Sequence, residues 1–220
     1  MVTSRVFALR HSEWDKTAKT RQPLTKVGEV MGFLMGIFLR RFNPQFITLT
    51  GSPQPRNVGT IIVMMLGIHG HRSVSEAEIF RCEDINDFSS DPKPEVRTAM
   101  PIIKEWARTH ATTFDQAVFQ TPEGRKALAT KMPDFLRQID LTGAKEGDHL
   151  VVCHGSTLDQ GGADLLRRLG NNLPEGMAAL GGQLGYCEGW IATYENGNLV
   201  SVEVLRTPDW FTILPFLGIE

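Results

Sequence analysis

RVFALRHSEW, residues 5–14, is the stretch on which the fold turns. Val6, Phe7, Ala8 and Leu9 form an unbroken apolar run with no polar alternation, the pattern of a strand covered on both faces inside a mainly parallel sheet. The run ends on Arg10 and His11, one cationic side chain and one on the edge of being cationic. Ligands of open α/β sheets bind just beyond the carboxyl ends of the strands, where loops and helix N-termini converge. The ends of the other strands therefore decide what Arg10 and His11 are for.

Outward from this run, strand and helix signals alternate. PLTKVGEVMGFLMGIFLRRF, residues 23–42, places Val27, Val30, Met31, Leu34, Met35 and Phe38 at helical spacing behind a Thr25 N-cap, which predicts a helix from about 25 to 41. FITLTGS at 46–52 reads as a second strand, and PRNVGTIIVMMLGI as a helix opening near Pro55 and fading by Gly67. Residues 71 to about 125 are less regular, with one clear helix in PEVRTAMPIIKEWARTH and room for a short strand near Val74. An insertion or cap at about 85–125, lying over one end of the sheet, is the expectation. A helix in TPEGRKALATKMPDFLRQI, a turn at TGAKEGD, a buried strand HLVVCHG at 149–155 and a helix from Ser156 follow. Two alternating runs around Asn196-Gly197-Asn198 close the pattern as a hairpin. The order predicts one domain over residues 1–220, a three-layer α/β/α sandwich with a mainly parallel sheet.

Composition narrows the function classes. Across 220 residues, 41% are hydrophobic and 22% charged, the profile of an ordinary globular chain. A formal net charge of -2, with no lysine/arginine run, gives no pull toward nucleic acid or an anionic membrane. The longest apolar run, IIVMML at 61–66, is too short to span a bilayer. Cys82, Cys153 and Cys187 are scattered and lack CxxC spacing, so neither a disulfide framework nor a zinc site is suggested, and a reducing cytoplasm is the expected location. Cys153 belongs to core packing. His69, His71, His110 and His149 show no metal-ligand grouping and read as surface residues, so no metal or cofactor is expected.

Three strand ends carry the same kind of residue. The first yields Arg10 and His11, the second leads through GSPQPR to Arg56 at a helix start, and the third yields His154, followed by Gly155 and Ser156. If the strands are neighbours, two guanidiniums and two imidazoles meet in one volume suited to a tetrahedral dianion. Arginine's planar fork matches two phosphate oxygens and stays charged, while helix N-termini add N–H donors. A neutral histidine nitrogen can attack phosphorus and split one difficult transfer into two easier ones.

These residues sit in four motifs that resemble the histidine phosphatase superfamily, the phosphoglycerate mutase-like fold. LRHSEW is similar to its Arg-His-Gly signature, PLTKVG to PLTxxG, TGSPQPRNVGT to SSPxxRAxxT, and VVCHGST to VSHGG, in the family's order across residues 5 to 165. The resemblance implies that His11 is phosphorylated and that Arg10, Arg56 and His154, with the backbone at Gly155 and Ser156, hold the phosphoryl oxygens. It further implies a metal-independent phosphatase that hydrolyses a phosphomonoester or a phosphohistidine, on a small molecule or a phosphoprotein, with a phosphoglycerate mutase-type phosphotransferase or a weakened phospho-ligand binder as alternatives. The family's general acid falls in a window that here holds Glu76, Glu78 and Glu83, of which Glu83 is ranked first and Glu78 second, with a site that uses none of the three as the remaining alternative, since members acting on phosphohistidine lack this acid. Two departures stand out: Ser12 replaces a glycine and would add a hydroxyl beside the substrate, and Asp15, an acid near an anion site, is not assigned to the pocket. Lys16, Lys19 and Arg21 follow in a loop expected to edge the site, and Phe114, Phe119 and Trp210 are candidates to cap it.

Overall fold

Strand β1 (Thr3–Arg10) lies inside a six-stranded sheet of order β3-β2-β4-β1-β5-β6, formed with β2 (Phe46–Gly51), β3 (Phe80–Arg81), β4 (Gly147–Cys153), β5 (Gly189–Glu195) and β6 (Asn198–Leu205). The computed structural model describes residues 2–18, 23–70, 74–86, 88, 91–173 and 176–208. β1, β2, β3 and β4 run parallel, and the β5–β6 hairpin pairs antiparallel on the other side of β1. Asn196 and Gly197 make its turn with φ of 50° and 78°, the left-handed geometry that the Asn-Gly pair predicts.

Val6, Phe7, Ala8 and Leu9 are all fully buried because helices cover both faces of β1. Phe7 and Leu9 pack with Leu150, Val152 and Ile191 against α1 (Lys26–Leu39) and α2 (Pro55–His69). Val6 and Ala8 turn the other way, with Val151, Cys153 and Trp190, toward α3 (Pro94–Thr109), α5 (Pro122–Gly143) and α6 (Gly155–Arg168). The Thr25 hydroxyl caps α1 by accepting from the Gly28 N–H at 2.9 Å, as its position before the apolar stripe predicts. Among the described residues, no helix is long and apolar enough to cross a membrane.

The structure departs from the sequence reading in three places. The third strand is the two-residue β3 at Phe80–Arg81 and not a strand near Val74, which is buried in the α1–α2 core. The irregular 110–120 region forms a further helix, α4 (Phe114–Gln120), opened by a Thr113 capping box. His149, read as a surface residue, is fully buried in β4, where Nδ1 meets the Thr48 hydroxyl at 2.8 Å and Nε2 donates to the Lys145 carbonyl at 3.0 Å. A histidine that satisfies both ring nitrogens inside the sheet is as buried as its apolar neighbours. His69 and His110 are exposed, and His71 lies outside the described residues.

Register is what makes the site. Arg10 lies opposite Cys153 in the β1–β4 ladder, and Gly51 lies opposite Val152 in the β2–β4 ladder, so three parallel strands end side by side. The residues that follow, His11, Ser52 and His154, leave the sheet at one edge, with His11 N–H donating to Cys153 O and Ser52 N–H to Val152 O.

Candidate active site

At that edge a cleft of about 740 Å³ is lined by Arg10, His11, Arg56, His154, Gly155 and Ser156, the residues singled out from the strand ends. Trp14, Phe88, Phe114 and Tyr186 supply aromatic walls, and Lys16 and Lys104 line it as well. Phe119 lies elsewhere, in a groove between α5 and α6, while Lys19, Arg21 and Trp210 lie outside the described residues.

The two imidazoles stand edge to face with ring centroids 5.3 Å apart. His11 donates Nδ1–H to the carbonyl oxygen of Ser12 at 2.7 Å, which leaves Nε2 as the nitrogen with a lone pair. Burial, then His154, Arg10 and Arg56, hold its pKa well below the usual histidine value, so the ring is neutral. His154 is held low by burial first, followed by Arg56, Lys131 and Arg10. Its tautomer is set from behind. The Asn57 amide lies 3.3 Å from His154 Nε2, and the orientation that satisfies both its ends donates to the carbonyls of Val152 and Cys153 and turns the oxygen to Nε2, which also meets Ser52 Oγ at 2.9 Å. Nε2 therefore carries the proton, and Nδ1 accepts from Arg56 Nη2 at 3.5 Å.

The arginines are fixed by aromatic faces and carbonyls. Arg56 lies over the Trp14 ring, 4.8 Å from its centroid, and Arg10 over Tyr186 at 5.1 Å. Arg10 Nη1 donates to Leu184 O at 2.7 Å, and Nη2 pairs with Asp115 at 2.9 Å. The loop carrying Leu184 is pinned in turn: Leu184 N–H donates to the buried Asp159, and Arg206 donates to the carbonyls of Leu180, Gly182 and Gln183. Sequence periodicity offered no signal for this scaffold, nor for Ser52, Asn57 or Asp115.

Two sequence expectations are corrected. Glu83 does not line the cleft. It is exposed in the 3-10 turn that buries Ile85, and its carboxylate accepts from Asn86 Nδ2 at 2.8 Å. Glu76 pairs with Arg81, and Glu78 accepts from the N–H and hydroxyl of Ser75. Ser12 presents no hydroxyl to the cleft; fully buried, it donates to Gly28 O at 2.6 Å and ties the loop after β1 to α1. Asp15 stands apart from the lining residues and accepts from Thr17 N–H and Oγ1.

The buried imidazoles make stability depend on pH. In the unfolded chain His11, His149 and His154 take up protons near pH 6.5, whereas the native state keeps all three neutral to lower pH. The unfolded state then binds more protons, and stability falls as pH drops below about 6.5. Asp159 acts in the opposite sense: burial raises its pKa to about 7, so the folded state takes up a proton in the same window and offsets one histidine. Urea titrations from pH 7.5 down to 5.5 should show a loss of up to about 1.4 kcal/mol per pH unit for each uncompensated histidine. A flat or rising profile would contradict the neutral assignment.

No protein-family model matches the chain, and no curated protein matches it by sequence. Solved structures match it in fold. Phosphoglycerate mutase from Bacillus anthracis str. Sterne superposes with a TM-score of 0.58 at 12% identity, covering 93% of this chain and 93% of that one. A mycobacterial hydrolase, hydrolase 2, gives 0.54 at 16% identity over 99% and 98% of the two chains. Mycobacterial glucosyl-3-phosphoglycerate phosphatase gives 0.52 at 13% identity over 92% and 97%. The fold is phosphoglycerate mutase-like: an α/β architecture with a mixed, mostly parallel six-stranded sheet flanked by helices.

Proposed function

We propose that this chain is a phosphatase that hydrolyses a phosphate monoester through a phosphohistidine on His11. The observation that carries the reading is the tautomer of His11. With Nδ1–H held by the Ser12 carbonyl, Nε2 keeps a lone pair inside a cleft lined by two guanidiniums and a second imidazole. Nε2 attacks phosphorus as the bond to the ester oxygen breaks, and water later attacks the phosphohistidine. Arg10, Arg56 and His154 stabilise the charge on the non-bridging oxygens, the kind of preorganised electrostatics that usually contributes most to catalysis. His154 joins them when it gains a proton at Nδ1, with Nε2–H kept on Ser52 and Asn57. The amides at the start of α6 add donors at a helix N-terminus.

The walls speak to the substrate. Trp14, Phe88, Phe114 and Tyr186 suit an ester with an apolar or ring-bearing body, and Lys16 and Lys104 suit one with a further acidic group. This favours a small-molecule ester. Rapid-quench incubation with p-nitrophenyl phosphate, followed by peptide mapping, should find acid-labile phosphate on the peptide containing His11. Nitrophenol release with phosphate on a different residue, or with no covalent intermediate during the burst, would defeat the proposal.

A further inference from the structure

We propose that Asp115 is the acid–base residue of this reaction, clamped by Arg10 in the resting site and released when phosphate takes Arg10 over. The inference rests on the phosphatase reading above and goes beyond it by naming the group that protonates the leaving oxygen. Asp115 is the only carboxylate among the described residues that line the cleft. It belongs to the first turn of α4, in the segment that lies over the sheet's carboxyl edge. Oδ2 pairs with Arg10 Nη2 at 2.9 Å and accepts from Gln183 Nε2 at 3.0 Å, and Oδ1 accepts from Ser156 N–H at 3.1 Å. Gly155 is what admits it: a Cβ there would stand 2.7 Å from Asp115 Oδ2 and 2.8 Å from Arg10 Nη1. The carboxylate thus occupies room left by a missing side chain directly after His154.

The charges around it explain the release. Arg10 and the Ser156 amide satisfy an anion, and a phosphate dianion competes for both. Once Arg10 turns to the phosphate, Asp115 faces a dianion with Asp159 behind it. A neutral carboxylic acid is not repelled by the dianion as a carboxylate is, so the form of Asp115 that acts in the proposed step is the protonated one. It passes that proton to the ester oxygen as the O–P bond breaks and the bond from His11 Nε2 to phosphorus forms. In the second step the carboxylate accepts a proton from water as the water oxygen bonds to phosphorus and the N–P bond breaks. Phosphate leaves, and Arg10 returns to Asp115.

Asp115→Asn, nearly isosteric, tests the assignment with two esters that differ in their need for an acid. Hydrolysis of glycerol 2-phosphate, whose alkoxide leaves poorly, should slow by about 10²- to 10³-fold, whereas 2,4-dinitrophenyl phosphate should slow less than about tenfold. Equal slowing on both esters by a parent-active enzyme overturns the acid–base role alone. A parent chain inert toward both removes the phosphatase reading and the role with it. Tungstate titration reads the clamp without turnover: Asp115→Asn should bind severalfold more tightly than the parent because Arg10 has no carboxylate to leave. Unchanged or weaker binding overturns the release.

Discussion

If His11 is the proposed nucleophile, His11→Ala should abolish turnover, lowering kcat by up to about a millionfold, the cost of removing a covalent nucleophile from a site whose remaining groups cannot replace it. On that mechanism the available lone pair decides the outcome. Arg10, Arg56 and His154 bind and polarise, but none of them presents an unprotonated atom that is free to attack: Arg56 occupies His154 Nδ1, and Ser52 and Asn57 occupy Nε2. The variant should keep its anion site, because the arginines are held by Trp14, Tyr186, Leu184 and Asp115 and not by His11. Tungstate binding within about tenfold of the parent, together with lost p-nitrophenyl phosphatase activity, is the expected pair of results. Parent-level hydrolysis by the variant would leave the covalent mechanism without its nucleophile.

Lys131→Met, a change far smaller in chemical terms, is expected to cost about 3–5 kcal/mol of stability. Lys131 on α5 and Asp91 before α3 form an ion pair at 2.7 Å with side chains only 2% and 4% exposed. Removing the ammonium leaves the carboxylate buried without its cation, and that uncompensated charge dominates the cost. For a protein of this size the loss corresponds to roughly 6–20 °C in Tm, a large share of a total stability of about 5–15 kcal/mol. Asp91 also accepts from the Lys93 N–H at the start of α3, so the damage should spread toward Met100 and Lys104 in the cleft wall. Adding Asp91→Asn to Lys131→Met should recover part of the loss, because the stranded charge is gone. Thermal and urea denaturation of both variants checks this, and a single-variant cost below about 1 kcal/mol would contradict it.

Some of this could be read from the chain alone because it is local. The apolar run at residues 6–9 and the stripe in α1 announce their elements through spacing, and the residues just after a buried strand must emerge at its carboxyl end. His11 and His154 are such residues, and Arg56 opens the helix after the second. Their order along the chain sufficed to suggest a shared anion site. Ser12 shows where that logic stops: sequence placed it beside the nucleophile, and only the packing of α1 shows that its hydroxyl turns away to Gly28.

The alternation of strands and helices, and the set of cationic and imidazole side chains delivered to the sheet's edge, are legible in the chain because both follow from period and adjacency. Tertiary structure alone decided which carboxylate shares the cleft, that His149 is a core residue, and that Lys131 finds Asp91. Asp115 and Gly155 are neighbours through the docking of α4 against the start of α6, and Glu83 stands exposed in the turn that buries Ile85. The direction of a side chain from the segment between β3 and α5 is set by contacts with distant elements. Those contacts leave no period in the sequence around it.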